Sequence, residues 1–331
     1  MLPIADEALR DWLSGALTRV DGTIRGSLLA PDDPFLTEVA THLTAAGGKR
    51  LRPALALLAA QFGDRDAGNV VAAAAAVELI HVASLYHDDV MDSADVRRGV
   101  PSVNARWGNR MAVLAGDYLL ARGAELCVPL GSEALREQAR LLTRLVRGQL
   151  RETVGARAGS DAERYYLGVI ADKTAALFAL ALRLGARAAG APAGAVEALG
   201  RYGEALGLAF QLTDDLLDLT VPVQVSGKPA GADLRGGVAT LPMLRAARGP
   251  GRSAVRLRRL LSAGPLGAPG RRAAARLIRR SPALAETGVE VDRYVDRARA
   301  ELVALPAGPA RDALADLAAA LGARGRTLVA G

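Results

Sequence analysis

Cysteine is almost missing from this 331-residue chain: Cys127 stands alone, so no disulfide can close within it, and a reducing cytoplasm is the expected compartment. Aromatic residues make up only 4%, which leaves few platforms on which bases could stack. Uninterrupted apolar runs are short. The longest, such as VVAAAAAV at 70–77, which gives way to Glu78 and His81, end well before a bilayer could be crossed. The opening residues, MLPIADEALRDWLSGAL, carry acids early and show no basic stretch leading into an apolar one, so they do not read as a secretory signal.

The most informative scarcity is lysine. Of 42 basic residues three are lysine, which leaves 39 arginines. Where arginine has displaced lysine so thoroughly, the survivors mark sites at which a compact ammonium does what a planar guanidinium cannot. They are Lys49 in GGKRLRP, Lys173 in ADKTAAL and Lys228 in SGKPAGADL, none of them on an ordinary amphipathic surface.

What remains is a chain that is 50% hydrophobic and 23% charged, ample for a large core. The net charge of +7 raises the question of nucleic acid. The basic residues are scattered along helical patterns, however, and no nucleic-acid partner is expected. The arginine-rich segment 252–280 keeps its apolar residues at helical spacing and reads as solvated helix faces or, alternatively, as a basic docking surface. Helical periodicity dominates, with helices expected near 5–29, 34–46, 50–62, 68–93, 103–127, 131–157, 161–188, 194–220 and, in shorter pieces, on to 323. No linker or low-complexity stretch divides them. The expectation is an all-α fold, one helical bundle around a central cavity, forming a single domain over 1–331.

Two acidic clusters stand out, HDDVMD at 87–92 and TDDLLD at 213–218, each closing a long apolar helix. Residues four apart share a helix face, so Asp88 pairs with Asp92 and Asp214 with Asp218. Such like charges repel by roughly 0.2–0.5 kcal/mol per pair, and by more where water is lost. A cation removes the penalty. With oxygen donors only, and no His or Cys in phase, the chemistry suits Mg²⁺ gripping a di- or triphosphate rather than zinc. Two clusters separated by 126 residues could then face each other across the cavity.

Basic residues gather in complementary places. GGKRLRP sets Lys49, Arg50 and Arg52 at a Gly-Gly turn entering a helix, where backbone can approach a phosphate and the helix N-terminus adds positive potential. DVRRG puts Arg97 and Arg98 just past the first aspartates, and His81 lies on the helix face of Asp88. With Lys173 and Lys228 this is more cation than one diphosphate needs, and it suits two phosphorylated substrates. Taken singly, Arg97 and Arg98 could merely pair with Asp95, and His81 could be a core histidine. His42 and His87 are read as structural.

Taken in order, GGKRLRP, HDDVMDSADVRRG, LAGDYLLARG, DKTAAL, FQLTDDLLDL, GKPAGADL with ATLP, and RDALADLAAALGARGR make the whole chain resemble the all-trans isoprenyl (polyprenyl) diphosphate synthases. The resemblance implies a Mg²⁺-dependent condensation of isopentenyl diphosphate with an allylic diphosphate, by a cytoplasmic homodimer that uses three ions per site. It implies Asp88, Asp92 and Asp214 as the main metal ligands, supported by Asp89, Asp215 and Asp218. Arg97, Lys173 and Lys228 would hold the allylic diphosphate, and Lys49, Arg52, His81 and Arg98 the isopentenyl group. Thr174 and Gln211 would face the reacting carbons, with Glu152 adding support through water. Two departures stand out: Val238 where many relatives carry a lysine before TLP, and no basic tail after GARGRTLVAG.

Chain length is read from the helix below Asp88. Ser84, His81, Val77 and Ala74 share its face, with Ala83 beside Ser84, and Ala74 lies roughly 21 Å away. These residues would form the chain-length wall. In short-chain members an aromatic closes the tunnel here. In this chain the side chains are small and Tyr86 lies about 160° round the helix. A product longer than C20, of the quinone side-chain type and passed on to the membrane, is expected. A floor around Leu114 or Leu119 would give C15 or C20 instead. A class I terpene cyclase, or a non-catalytic prenyltransferase subunit, are more remote alternatives: the second cluster is DDLLD, and no acidic motif residue is missing.

Overall fold

The computed structural model describes residues 3–157, 159–220, 234, 236–262 and 266–330. It is all-α, as expected. The described strands are β1 (Val96–Arg97) and β2 (Val100–Pro101), a hairpin in antiparallel register Val96↔Pro101 that the helical periodicity did not foretell.

The helices separate into two compact units. The first comprises the described residues of 1–141, 177–201 and 302–314. Here α1 (Glu7–Leu28) starts at Asp6, whose carboxylate caps Leu9 N–H, and it buries Leu9, Leu13, Ala16, Val20, Ile24 and Leu28 along one stripe. Asp33 caps α2 (Pro34–Ala45), whose first residue is a proline that needs no N–H partner. Then come α3 (Leu51–Ala60), α4 (Val70–Met91), α5 (Val103–Trp107), α6 (Asn109–Cys127) and α9 (Ala176–Ala188).

The centre of this unit is α4, which packs on α6, α3 and α1. By length and composition α4 could cross a membrane, despite Glu78 and His81, but two-thirds of its apolar window is buried inside the chain. Its nearly uniform hydrophobicity is that of a helix enclosed by neighbours on several sides. Where one helix was expected over 103–127, Gly108 breaks it, at φ 87°, into α5 and α6.

The second unit comprises the described residues of 142–176, 202–301 and 315–331. It holds most of α7 (Ser132–Val154), α8 (Ala162–Ile170), the C-terminal part of α10 (Ala193–Thr220), then α11 (Leu241–Arg248), α12 (Gly251–Ser262), α13 (Ala268–Arg279), α14 (Ala283–Glu301) and most of α15 (Pro309–Ala330). In this unit α11 packs on α14, α12 and α8, and α12 on α13. The helix expected over 161–188 is interrupted by a π-turn at Ala171–Ala175, one extra residue inserted between α8 and α9. A Cβ on Gly207 of α10 would lie 2.5 Å from Ala175 Cα, so this glycine is what lets α10 pass against the π-turn.

Candidate active site

The first half-site belongs to the first unit and grows from the C-terminal end of α4. There the helix stops at Asp92, and backbone reversals follow at Ser93 and Arg98. Among the described residues the non-glycine positions with positive φ are these two and Arg50, which enters α3 and, like Arg98, reaches Glu78 of α4. Arg98 and Gly99, at φ 53° and 78°, form the tight turn of the β1–β2 hairpin. That turn sends two adjacent arginines to different partners.

Arg97 reaches back to Asp89, its Nε donating to Oδ1 at 2.7 Å. Asp89 is fully buried, its Oδ2 has no partner among the described residues, and burial pushes its carboxyl up despite Arg97. Arg98 instead donates to the carbonyls of Leu43 at 2.9 Å and Gly47 at 2.6 Å, and to Glu78 at 3.2 Å. It thereby ties down the Gly47–Gly48 turn, whose φ values of 85° and 153° only glycine adopts readily. Neither arginine pairs with Asp95.

Glu78 is the unexpected residue. It is buried in α4 and its Oε1 accepts from both Arg50, at 2.9 Å, and Arg98, at 3.2 Å. Arg50 also donates to Asp21 and to the carbonyl of Thr44. One turn along, the Arg52 guanidinium donates to Nε2 of His81 at 3.1 Å and lies over the Phe178 ring, 5.1 Å from its centroid. Burial, and then the nearby arginines, hold His81 well below its usual pKa, so it is neutral. Burial lowers Arg52 to about 10, still charged at neutral pH, and its Nε is buried without a partner among the described residues. Lys49 is exposed at the same turn.

Asp88 is half-buried and Asp92 exposed, whereas Asp89 points inward. Consecutive helical residues are about 100° apart, so adjacent aspartates cannot share one outlook. The other two histidines are engaged elsewhere, His42 on the carbonyl of Pro101 and His87 on Asp117. On the supposed tunnel face Ala74 and Val77 are fully buried, as is Ala83, and the Ser84 hydroxyl donates to the carbonyl of His81. Tyr86, the aromatic of α4, is turned to α2, its hydroxyl 2.9 Å from the carbonyl of Val39.

The second half-site lies in the second unit, where α7, the π-turn and the end of α10 meet. Lys173 and Thr174 project from the π-turn. Lys173 pairs directly with Glu152 of α7. The Thr174 hydroxyl donates to Oε1 of Gln211 at 2.9 Å, and Gln211 Nε2 donates to Oδ1 of Asp215 at 3.1 Å. Asp215 is buried and also receives the hydroxyl of Tyr166. Again the middle aspartate of the cluster faces protein, while Asp214 is exposed and Asp218 half-buried. Lys228 lies outside the described residues.

Asp172, next to Lys173, anchors the π-turn. It accepts from Arg144 Nε at 3.0 Å and, through both oxygens, from Arg147 at 2.7 and 2.8 Å. Burial pushes its carboxyl up, but the two arginines outweigh that and hold it below the usual carboxylate range. Neither Glu78 nor Asp172 was singled out in the sequence as part of a site. The available signal was a lone acid within an apolar run, and an acid adjoining one of three lysines.

Among the described residues no three His, Cys, Asp or Glu side chains gather closely enough to hold a metal by themselves. In each cluster the carboxylates that are not fully buried, Asp88 and Asp92 in the first and Asp214 and Asp218 in the second, are nevertheless oxygen donors. That donor chemistry fits a hard divalent cation that takes one or two carboxylates and completes its shell with water and phosphate.

A family model, polyprenyl synthetase, matches residues 33–266. The chain belongs to the polyprenyl synthetase family. The nonaprenyl diphosphate synthase of Mycobacterium tuberculosis is 47% identical over 287 residues, 86% of this chain and 85% of its own. Component 2 of the heptaprenyl diphosphate synthase of Geobacillus stearothermophilus is 41% identical over 330 residues, 96% of this chain and 98% of its own. Among solved structures, a polyprenyl synthase from Caulobacter crescentus, complexed with calcium and isoprenyl diphosphate, superposes with a TM-score of 0.88 at 38% identity, covering 95% of this chain and 96% of that one. A geranylgeranyl pyrophosphate synthase from Corynebacterium glutamicum, with the same ligands, gives 0.87 at 40% identity, covering 98% and 99%.

Proposed function

We propose that this member of the polyprenyl synthetase family is a trans-prenyltransferase that condenses isopentenyl diphosphate head-to-tail with an allylic diphosphate and makes a product longer than C20. The observation that carries the reading is the sorting of side chains in both half-sites. In each aspartate cluster the middle carboxylate, Asp89 or Asp215, is buried on protein partners, while Asp92 in the first and Asp214 in the second are exposed, beside cations suited to phosphate.

Asp88, Asp92 and Asp214 are the residues that would hold Mg²⁺, with Asp218 beside Asp214. When bound, Mg²⁺ neutralises charge on the leaving diphosphate. Lys173, Arg97 and Lys228 grip the allylic diphosphate, while Lys49 and Arg52 take the isopentenyl group. There Arg52 has a buried Nε to offer and His81, being neutral, adds no further charge. Arg98 secures the Gly47–Gly48 turn that carries Lys49.

The allylic C–O bond breaks, its electron pair leaving with the diphosphate, and the double bond of isopentenyl diphosphate attacks the carbon so freed. Thr174 commits its proton to Gln211, so what it presents is oxygen lone pairs, a dipole suited to a carbocation. The final proton goes to the released diphosphate. The buried carboxylate of Asp215 fixes the Gln211 amide, and through it the Thr174 hydroxyl.

The small side chains at Ala74, Val77 and Ser84, with Ala83 and with Tyr86 turned to α2, support a long product. The geranylgeranyl pyrophosphate synthase among the similar structures supports a shorter one. The test is an assay with Mg²⁺, labelled isopentenyl diphosphate and C5 to C20 primers, resolving dephosphorylated products by length. A ladder ending above C20 is expected. A stop at C15 or C20 overturns the chain length, and no incorporation by folded protein overturns the catalytic reading. Homodimerisation in the cytoplasm belongs to the same proposal. A monomer in light scattering, active only with an added second component, would replace it.

A further inference from the structure

The net positive charge of this protein has one source. Between Asp233 and Glu286 the sequence carries twelve arginines and no acid. Without them the chain has 30 basic residues against 35 acidic ones and is an anion. Most of the twelve lie on α12 and α13, which pack against each other within the second unit.

Both helices bury a narrow apolar stripe, Ala254 and Leu257 on α12, Ala274 and Ile278 on α13. Away from it Arg252, Arg256 and Arg259, then Arg272, Arg276 and Arg280, recur at three- and four-residue spacing and are all exposed. Like charges so spaced repel along a helix, and no acid is interleaved to offset them. Among the described residues the acids paired with arginines of this stretch are Glu163 and Glu290, engaged by Arg245 and Arg248 on α11. The surface therefore calls for an anionic partner from outside the chain.

We infer that the α12–α13 arginine face docks this protein on an anionic phospholipid bilayer. The inference rests on the proposed function, because a polyprenyl product longer than C20 has an apolar tail that water does not take and a bilayer does. Nucleic acid is the lesser match: no Phe, Tyr or Trp occurs between Phe210 and Tyr294, so the face offers bases nothing to stack on. The exposed positions are arginines with no row of large apolar side chains, which predicts attachment by charge, sensitive to salt, rather than insertion.

The test is co-sedimentation of the full chain with vesicles of phosphatidylcholine alone or with about 30% phosphatidylglycerol, at about 50 mM and 300 mM salt. The wild type and R252Q/R256Q/R272Q/R276Q are compared. The wild type should pellet with the anionic vesicles at low salt only. At roughly fivefold per arginine, the variant should partition at least a hundredfold more weakly. Equal pelleting of the two proteins, or none by the wild type, overturns the proposal. So does tighter, salt-resistant binding of a mixed-sequence oligonucleotide. Elongation in detergent, without vesicles, is measured on both proteins and should be the same. Activity without vesicle binding removes the docking face alone, whereas binding without activity removes the enzymatic reading and leaves the face standing.

Discussion

The Arg52 guanidinium donates to Nε2 of His81 at 3.1 Å, and this one contact fixes the state of the histidine. A nitrogen that accepts carries no proton, so His81 is neutral with its proton on Nδ1, as its burial among arginines also demands. Its pKa is lowered on folding, so the sign is that of a group buried neutral. Above the ordinary value near 6.5 it makes no pH-dependent contribution. Below it the unfolded chain takes up a proton that the folded chain refuses, and stability falls by up to about 1.4 kcal/mol per pH unit. H81Q keeps an acceptor and has no proton to gain. Denaturant titrations at pH 5 and pH 7.5 should show the mutant losing less stability on acidification than the wild type. Equal losses would place the acid sensitivity elsewhere.

Neighbouring aspartates of the first cluster should fail in different ways. Asp92 is exposed, so D92N should leave the melting temperature within about 1 °C while lowering kcat by roughly a hundredfold or more, with a higher Mg²⁺ requirement. Asp89 is buried on Arg97, so D89N should cost about 1–2 kcal/mol and lower the melting temperature by several degrees. Melting curves and Mg²⁺ titrations of the two proteins together make the check. The reverse assignment of losses would mean that the inward carboxylate is the ligand.

Glu78 should behave as the hub of the first half-site. Its one oxygen receives two arginines that are themselves mostly buried, and removing the charge takes the carboxylate from Arg98 and leaves Arg50 with Asp21 alone. E78Q is expected to destabilise by about 2–4 kcal/mol. Because Arg98 then loosens the Gly47–Gly48 turn, the KM for isopentenyl diphosphate should rise roughly tenfold, and that for the allylic primer much less. Steady-state kinetics with each substrate varied in turn separates this from a general loss of fold.

The fold was legible in the sequence because its helices are long and periodic, and the aspartate clusters because charge at the end of an apolar helix is conspicuous. Other features were not legible, each for a physical reason. The π-turn at Ala171–Ala175 adds one residue without Gly or Pro to mark it, so a continuous helix over 161–188 was the natural reading. Asp88 and Asp89 look alike as letters, and only the 100° between them on α4 separates a half-buried carboxylate from a fully buried one. Glu78 was visible only as a break in an apolar run; that it binds arginines brought in from the Gly-Gly turn and the hairpin depends on contacts 20 and 28 residues away.

The last prediction concerns Asp172, which holds the π-turn where Lys173 and Thr174 project. Arg144 and Arg147 grip it through three hydrogen bonds, and a Cβ on Gly148 would lie 3.0 Å from its own Cβ, so α7 and the turn are in close contact. D172N keeps the shape and removes the charge, at a cost of roughly 1.5–3 kcal/mol. Its folded pKa is depressed, so the stability it provides is complete above the ordinary carboxylate value and is lost as pH falls through the folded one. The mutant should therefore show a smaller loss of stability between pH 5 and pH 3 than the wild type. If the turn also aims Lys173, the KM for the allylic diphosphate rises several-fold in D172N while that for isopentenyl diphosphate stays put, and D172E recovers part of it. An unchanged allylic KM in a destabilised D172N would make Asp172 a purely structural anchor, because stability and aim are read here by separate measurements.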